Sequence, residues 1–274
     1  MPEGPEIKRE ADTLSAAIAG RQALLVEFAF PHLQADGFSL SGKQVLTVNA
    51  RGKAMLISFA GGKTIYSHNQ LYGKWAVLRR GKAPHPTKQM RLAIHTESVV
   101  AVLYSASSIE VIQTSDVGAH PYVQKLGVEL LDTSTTHEMV LAQISAPQFS
   151  RRSLAALLLD QGFLAGVGNY LRSEILFVAR IPPIVRIADL SQHQRATLAS
   201  AALDLTRQSY QTRGVTNDLG FAQRLKKQGW RFGRYRHWVF GRDGEQCHIC
   251  TTTIQRQDIG GRGLYWCLRC QVRR

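Results

Sequence analysis

The residues with the clearest chemical potential stand at the amino terminus, in the sequence Met1-Pro2-Glu3-Gly4-Pro5-Glu6. Initiator Met is normally removed before a small second residue, so we expect Pro2 to carry a free secondary amine. The pKa of an α-amino group is roughly 8, against about 10.4 for lysine, so more of it is unprotonated near neutral pH. Such an amine can attack an electrophilic carbon, and Glu3 beside it can serve as the general acid. The alternative is a plain helix start, because Pro and Glu are both favoured in a first helical turn.

All the cysteines fall in the last 28 residues, as two Cys-x-x-Cys pairs separated by sixteen residues. This spacing predicts one structural Zn²⁺ held tetrahedrally by four thiolates, with no position left for water. Two disulfides are the alternative, but disulfides are rare in intracellular proteins. A redox pair is disfavoured because neither Cys-x-x-Cys lies between a strand and a helix. The four predicted ligands are Cys247, Cys250, Cys267 and Cys270.

Between the two cysteine pairs, Gly260, Gly261 and Gly263 predict a tight hairpin tip with Arg262 at its apex. An arginine presented there suits a phosphate, although a solvated turn arginine is the alternative. The net charge is +14, and residues 207–274 hold 14 lysines and arginines against 4 aspartates and glutamates. A basic segment interleaved with aromatic residues favours a nucleic acid as partner over charge that serves only solubility.

The elements that must position these residues change character along the chain. Apolar residues at helical spacing from Ile7 through Gly20 predict an amphipathic helix directly after the amino terminus. Short alternating runs then predict a sandwich or barrel-like sheet. The predicted strands are Leu24–Phe30, Gln44–Asn49, Ala54–Phe59, Thr64–Tyr66, Trp75–Leu78, Met90–His95, Val99–Tyr104 and Ile109–Ile112.

Two turns of this sheet carry candidate residues. Lys53, at the start of a predicted strand, is placed to contact a phosphate or carry a proton, although a lone surface lysine is more common. The loop Ser67–Gly73 runs from polar to apolar to aromatic and closes on glycine, a pattern suited to insertion into a base stack. A hairpin that packs its Leu and Tyr inward is the alternative.

The second half is predicted to be helical. A Gly-x-Gly-Asn turn at residues 166–169 begins one helix, where backbone N–H groups and Asn169 can hold a phosphate. A dinucleotide fingerprint is excluded because no strand precedes this turn and the third glycine is missing. No structure is assigned to the basic segment 224–238. The predicted helices are Thr136–Ile144, Ser153–Asp160, Tyr170–Val178 and Gln192–Tyr210.

The chain lacks an apolar run of 18 residues, and residues 1–30 lack the pattern of a signal peptide. We therefore expect a cytoplasmic protein with no membrane partner, and a monomer is the simpler expectation for its oligomeric state.

These motifs together resemble the formamidopyrimidine-DNA glycosylase/endonuclease VIII family over nearly the whole chain. The resemblance is carried by five stretches: the amino-terminal hexapeptide, the Arg51-Gly52-Lys53 turn, residues 66–73, residues 157–172 and the four-cysteine segment with Arg262. Gly4 and the Gln70-Leu71-Tyr72 loop resemble the bacterial endonuclease VIII branch.

The resemblance implies an α+β fold. It predicts an N-terminal β-sandwich domain with a flanking helix over residues 1–124, a hinge over 125–134, a helix-two-turns-helix domain over 135–237 and a zinc finger over 238–274. Damaged double-stranded DNA is the implied partner. The segment 217–237 looks longer and more basic than is usual in the family.

The resemblance also implies a mechanism on a nucleotide flipped out of the duplex. Pro2 attacks C1′ and releases the base as an iminium forms, Glu3 acts as general acid, and β- and δ-elimination cut the strand. Lys53 and Arg262 are implied in the two eliminations. The residues that match DNA contacts are Gln70, Leu71, Tyr72, Lys125 and Asn169.

The resemblance therefore predicts a bifunctional DNA glycosylase/AP lyase of base excision repair that acts on oxidised pyrimidines. Two alternatives remain open. One is an oxidised-purine glycosylase of the same fold. The other is a non-catalytic zinc-finger protein that binds damaged DNA.

Overall fold

The computed structural model describes residues 2–82, 85 and 87–272. The chain divides into two compact units. Pro2 and Glu6–Lys125 form the first, and Glu3–Pro5 with the described residues from Leu126 onward form the second. Met1 lies outside the described residues, so its removal stays a prediction. Within the described part of the chain, no helix combines the length and apolarity needed to cross a membrane.

The first unit is a β-sandwich of two four-stranded antiparallel sheets. One sheet has the strand order β1-β6-β7-β5 and the other β2-β3-β4-β8. Alternating side chains of both sheets share one apolar core, as face-to-face packing requires. The strands are β1 (Leu25–Phe28), β2 (Val45–Arg51), β3 (Ala54–Phe59), β4 (Lys63–His68), β5 (Lys74–Arg79), β6 (Met90–His95), β7 (Val99–Tyr104) and β8 (Ser108–Gln113).

Three helices accompany the sandwich. Helix α1 (Gly4–Ile18) places Ala11, Leu14 and Ile18 in the sandwich core, which explains the helical spacing of those residues. Helix α2 (Gln34–Leu40) packs against β1, and α3 (Pro121–Gln124) follows a 3₁₀ turn after β8. The sequence did not predict α2, because Gly37 in its middle weakens the helical signal. That glycine is required, since a Cβ there would lie 2.6 Å from the Val26 carbonyl oxygen.

The second unit is built on helices around its own apolar core. Leucines, isoleucines and alanines from α4, α6 and α7 pack together, and Leu264 of the cysteine segment joins them. A short parallel pair, β9 (Val128–Glu129) and β10 (Leu164–Ala165), lies in the same unit. The helices are α4 (His137–Ser145), α5 (Leu154–Leu157), α6 (Asn169–Val178), α7 (Gln192–Gln211), α8 (Leu219–Lys227) and α9 (Phe232–Tyr235).

The predicted elements agree with the observed ones in type, with three corrections. No strand was predicted before the Gly-x-Gly-Asn turn, but β10 lies directly ahead of it. The helix predicted over 153–160 is only α5, because the turn that follows takes over at Asp160, whose carboxylate accepts the Gly162 N–H at 2.9 Å. The segment 118–132, for which no helix or strand was predicted, contains a helical turn, α3 and β9. The predicted sandwich and the helical second half are both confirmed.

The cysteine segment ends in a two-stranded antiparallel hairpin, β11 (Gln255–Ile259) and β12 (Arg262–Trp266). Val239 and Ile254 pack with two of the cysteines and with Phe177 of α6. The hairpin and the cysteines are therefore anchored to the helical core of their own unit.

Candidate active site

The carboxylate of Glu3 is held at the start of α6. Its oxygens accept the backbone N–H groups of Gly168 at 2.8 Å, Tyr170 at 2.7 Å and Leu171 at 3.2 Å. The side chain is only 2% exposed. Unpaired N–H groups and the helix dipole make a helix N-terminus a natural site for an acidic side chain, which explains why Glu3 is held there. An amino-terminal segment that only capped its own helix would not need these contacts.

Glycines make this close approach possible. A Cβ on Gly168 would lie 2.3 Å from Cδ of Glu3, and one on Gly4 would lie 2.9 Å from Cα of Gly166. The Gly4 N–H also donates to the Gly166 carbonyl at 2.8 Å. The Gly-x-Gly-Asn turn therefore forms a close-packed site, here called the seat, that holds Glu3 and Gly4.

The substitution Gly168→Ala is expected to displace the Glu3 carboxylate. Overpacking of this kind costs about 1–3 kcal/mol of the free energy of unfolding, and thermal denaturation should show the loss. Gly118→Ala is the matched control, because a Cβ there meets nothing within 4 Å. Equal stability of the two variants would contradict the proposed seat.

Asn169, the first residue of α6, connects this turn to the hairpin. Its Nδ2 donates to the Gly263 carbonyl at 2.7 Å, and its Oδ1 accepts from Arg172 at 2.6 Å. Nδ2 carries a second hydrogen that can serve another acceptor. The predicted phosphate contact by Asn169 is not tested by this geometry and stays a prediction.

Arg172 is fully buried and its side chain binds the backbone of the hairpin. Its guanidinium donates to the backbone oxygens of Ala155 at 2.9 Å and Arg262 at 3.2 Å. Burial lowers the pKa of Arg172 to about 10, nearby Arg262 adds to this, and Glu3 opposes it. Arg172 belongs to the sequence motif of residues 157–172, but its role in holding the hairpin was not predicted. The available signal was the pair of charged residues Arg172 and Glu174 on a largely apolar helix.

Arg262 does not stand at the hairpin apex, so that prediction was wrong. The turn consists of Gly260 and Gly261, both with positive φ, and Ile259 pairs with Arg262 across it. Gly263 lies inside β12, opposite Asp258. A two-residue turn needs only two residues with positive φ, which leaves the third glycine for the strand. Arg262 is exposed and is fixed by strand pairing.

A second buried carboxylate, Glu174, was not found from the sequence. It accepts the Thr216 hydroxyl at 2.6 Å and the backbone N–H groups of residues 238–240 at 2.8–2.9 Å. Burial raises its pKa, against the effect of these hydrogen bonds. Glu174 thus joins α6 to the chain entering the cysteine segment. His237 beside it is buried, bonds Thr216 at 2.8 Å and stacks on Tyr170.

We expect His237 to lower the free energy of unfolding as the pH decreases. Burial, with a smaller contribution from Arg236, lowers its pKa well below the usual value of 6.5. Its contribution to stability is therefore present above pH 6.5 and is lost as the pH falls towards the folded-state pKa. On acidification, the free energy of unfolding measured with denaturant should fall less for His237→Phe than for the parent. His193→Phe, at an exposed position, is the control. Parallel pH curves for the His237 variant and the parent would contradict this assignment.

In the first unit, Lys53 is not a surface lysine, so that alternative is excluded. It follows Gly52 in the two-residue turn between β2 and β3, and only 6% of it is exposed. Its backbone N–H donates to the Tyr122 hydroxyl at 2.8 Å. Burial and the charge of Lys53 together lower the pKa of nearby His68. A lysine is rarely buried unless it is used or paired.

The Gln70–Tyr72 loop points its apolar residues outward. Leu71 is 60% exposed and Tyr72 is 79% exposed, which excludes the alternative in which they pack inward. Gln70 has a φ of 48° and is held by Ser107, whose hydroxyl donates to Gln70 Oε1 at 2.6 Å. The exposed side chains of Leu71 and Tyr72 thus follow a residue, Gln70, that is fixed by a hydrogen bond. Lys125, the last predicted contact in this unit, is exposed immediately after α3.

The four cysteines converge on one point. Their sulfur atoms all lie within 4.8 Å of one another. Cys247 and Cys270 are 3.8 Å apart and Cys250 and Cys267 are 3.4 Å apart, whereas a disulfide needs about 2.05 Å. Tetrahedral thiolates at about 2.3 Å from Zn²⁺ would be separated by nearly such distances. The cluster is a possible metal site, and the disulfide alternative is excluded for these cysteines.

Two family models match the chain on either side of its unit boundary. The formamidopyrimidine-DNA glycosylase N-terminal domain matches residues 1–106, and the formamidopyrimidine-DNA glycosylase H2TH domain matches residues 126–218. With the sandwich, the α6 turn and the four-cysteine cluster already described, these matches define the class. The chain belongs to the formamidopyrimidine-DNA glycosylase/Endonuclease 8 family of DNA glycosylases.

Within that family, the chain resembles Endonuclease 8 of several bacteria. The Salmonella arizonae protein and the Klebsiella pneumoniae protein are both 44% identical to it over 271 residues, and the Pectobacterium atrosepticum protein is 42% identical. Each match covers 99% of this chain and 100% of the relative. The family resemblance predicted from the motifs is confirmed.

Solved structures confirm the fold. The Lactococcus lactis Fpg (MutM) in complex with an oxidized pyrimidine containing DNA matches with a TM-score of 0.82 at 21% identity. The same protein in complex with an abasic site containing DNA also matches with a TM-score of 0.82, at 20% identity. Both matches cover 99% of this chain and 100% of the other.

Proposed function

We propose that the protein is a bifunctional DNA glycosylase/AP lyase of base excision repair that removes oxidised pyrimidines from duplex DNA. The seat of Glu3 carries this proposal. Three backbone N–H groups fix the carboxylate of Glu3, the residue that follows Pro2 in the sequence, and two glycines are required to admit it. Residues at a terminus are seldom built in so firmly without a function.

The first step uses the amino-terminal amine. With Met1 removed, the nitrogen of Pro2 attacks C1′ of a flipped nucleotide and the bond from C1′ to the base breaks. The departing base takes up the proton that the Pro2 nitrogen gives up, and the sugar ring opens to leave an iminium. Glu3 supplies the proton that the ring oxygen needs. To act as the acid, Glu3 must carry a proton at this step. The ammonium form of Pro2 is a suitable donor, and this transfer also produces the nucleophilic amine.

The second step cuts the strand. The iminium acidifies the C2′ proton, so β-elimination and then δ-elimination release both phosphates. Lys53 is the proposed proton carrier in β-elimination, and its burial supports a role beyond surface charge. Arg262 is proposed to hold the phosphate in δ-elimination, since an arginine remains charged and its fork matches a phosphate. Its fixed position on β12 suits that task.

The remaining residues bind DNA in this proposal. The exposed loop Gln70–Tyr72 fills the space left by the flipped base, as apolar wedges do in other DNA-bending proteins. Lys125 and Asn169 contact phosphates. The L. lactis Fpg complexes contain DNA with an oxidized pyrimidine, an abasic site or Fapy-dG, which supports damaged DNA as the substrate of this chain. The proposed enzyme acts as a monomer.

The four cysteines are proposed to hold one structural Zn²⁺. The thiolate donor set and the separations between the sulfur atoms fit that ion, and four protein ligands leave no site for catalysis. When bound, the ion would stiffen the segment that carries the hairpin.

Borohydride reduction tests the proposed activity. In the presence of DNA with an abasic site, the iminium is expected to be reduced to a covalent protein–DNA adduct. If the processed protein gives no adduct, the enzyme proposal fails and the non-catalytic DNA-binding alternative stands. Release rates on thymine glycol and on 8-oxoguanine then decide the substrate class. Faster release of 8-oxoguanine would replace the pyrimidine assignment by the oxidised-purine alternative.

A further inference from the structure

A half-buried acid outside the proposed catalytic set, Glu10, lies in the second turn of α1. One oxygen of Glu10 accepts Nδ2 of Asn69 at 2.8 Å, and the Trp75 backbone N–H also bonds this carboxylate. Burial raises the pKa of Glu10 in spite of these bonds and of nearby Lys74. A carboxylate in such a position costs stability compared with one in water, so packing alone does not explain it.

The partner of Glu10 is the base of the Gln70–Tyr72 loop. Asn69 is only 2% exposed, and its carbonyl accepts the Gly73 N–H at 2.7 Å. A Cβ on Gly73 would lie 2.5 Å from both Cα and O of Asn69. The two ends of the loop are thus closed on each other through Asn69. Whatever holds the Asn69 side chain therefore holds the whole loop.

The loop has little else to fix it. Leu71 and Tyr72 are exposed and bury almost nothing in the protein alone. Gln70 is tied to Ser107 and to Nδ1 of His68, but both bonds lie at the exposed surface. Exposed hydrogen bonds contribute less to order than a partly buried bond to a charged group. The bond from Glu10 to Asn69 is therefore the strongest tie between this loop and the sandwich.

Helix α1 is also the helix that follows Pro2. Pro2 and Glu10 belong to the same compact unit as the loop. We propose that Glu10 is a positioning residue that fixes the Gln70–Tyr72 loop relative to Pro2 by holding Asn69 against α1. The loop then enters the duplex at the distance from the nucleophile at which the flipped nucleotide can react. This inference rests on the proposed function, in which the loop fills the space left by the flipped base.

Duplex and single-stranded substrates separate this role from a general effect on the fold. A duplex needs the loop, whereas a single strand with an abasic site leaves no space in a base stack to fill. Glu10→Ala is expected to lower kcat/KM on a duplex with an oxidised pyrimidine on the order of 10- to 100-fold, as small misplacements do. Borohydride trapping on a single-stranded abasic oligonucleotide should change by less than about twofold.

Companion variants sharpen the comparison. Glu10→Gln keeps an acceptor oxygen for Asn69, so it should recover part of the duplex activity. Asn69→Ala should reproduce the loss of Glu10→Ala, and the double variant should lose no more than either single one. Asp12→Asn is the matched control, because Asp12 pairs with Lys8 at the surface of the same helix. It is expected to match the parent on both substrates.

Hydrogen exchange gives a readout that does not depend on catalysis. In Glu10→Ala the amide of Gly73 should exchange faster, while the central amides of β3 and β4 keep the parental rate. Equal losses of activity on duplex and single strand, or unchanged exchange at Gly73, would overturn the positioning role. If the parent protein forms no adduct, the proposed function fails, and exchange at Gly73 still decides whether Glu10 holds the loop.

Discussion

A chain extended by residues ahead of Pro2 is expected to bind duplex DNA with an abasic site and to leave it uncut. The extension turns the secondary amine of Pro2 into an amide, whose nitrogen has no basic lone pair for attack on C1′. Removing the nucleophile of an enzyme typically costs several orders of magnitude in rate. We therefore expect adduct formation under borohydride to fall by at least roughly 10³-fold.

The control for this experiment is the same extension followed by a protease site that cuts directly before Pro2. Cleavage should restore the adduct to the level of the processed parent, which shows that the fold was intact. DNA affinity, measured by fluorescence anisotropy at fixed salt concentration, should stay within about twofold throughout. An extended chain that cuts the abasic strand at the parental rate would rule out Pro2 as nucleophile.

Much of this site could be predicted because its chemistry is local in sequence. The cysteine spacing identified the four residues that converge, and the terminal Pro-Glu pair identified the candidate nucleophile and acid. The spacing of apolar residues predicted strands β3, β6 and β7 with the bounds that the structure shows. Such features need only neighbouring residues to be recognised.

The residues that were missed depend on contacts between distant parts of the chain. Arg172, Glu174 and Glu10 each look like ordinary helical charges in the sequence. Their partners lie far away: Arg172 bonds Arg262, Glu174 bonds residues 238–240, and Glu10 bonds Asn69. No periodicity encodes these pairs, because burial of a charge depends on the tertiary structure around it.

The basic segment is a further case in which packing determined the structure. Residues 224–238 carried no clear pattern, yet α8 begins at Leu219, capped by Asp218, whose side chain accepts the Phe221 N–H at 2.7 Å. Phe221 stacks on Trp238 and meets His248 of the first cysteine pair edge-on. The helix is thus seated on the cysteine segment, and its own propensity is only part of the reason it forms.

The contacts between α8 and the cysteine segment enlarge the expected effect of removing the proposed Zn²⁺. Structural zinc contributes about 10–16 kcal/mol to the folding of isolated zinc fingers. Here the cysteine pairs support α8 through His248 and Phe221, and Gln271 joins the Cys267 N–H to the Ile181 carbonyl. Loss of the ion should therefore loosen α8 and the basic segment 224–238 together with the cysteine segment. The double variant Cys250→Ser/Cys267→Ser should contain far less than one zinc per chain and should lose at least about tenfold in duplex affinity.

Thr253→Ser, an exposed change in the same segment, is the control and should keep both zinc and affinity. Treatment of the parent with a chelator should reproduce the loss, and added zinc should reverse it, while a reductant alone should have no effect. The hairpin keeps its own contacts to α6 through Asn169 and Arg172, and Pro2 belongs to the other compact unit. Adduct formation on single-stranded abasic DNA should therefore fall much less than duplex binding. A metal-free protein that binds duplex DNA as tightly as the parent would show that the cysteines do not hold the basic segment in its DNA-binding structure.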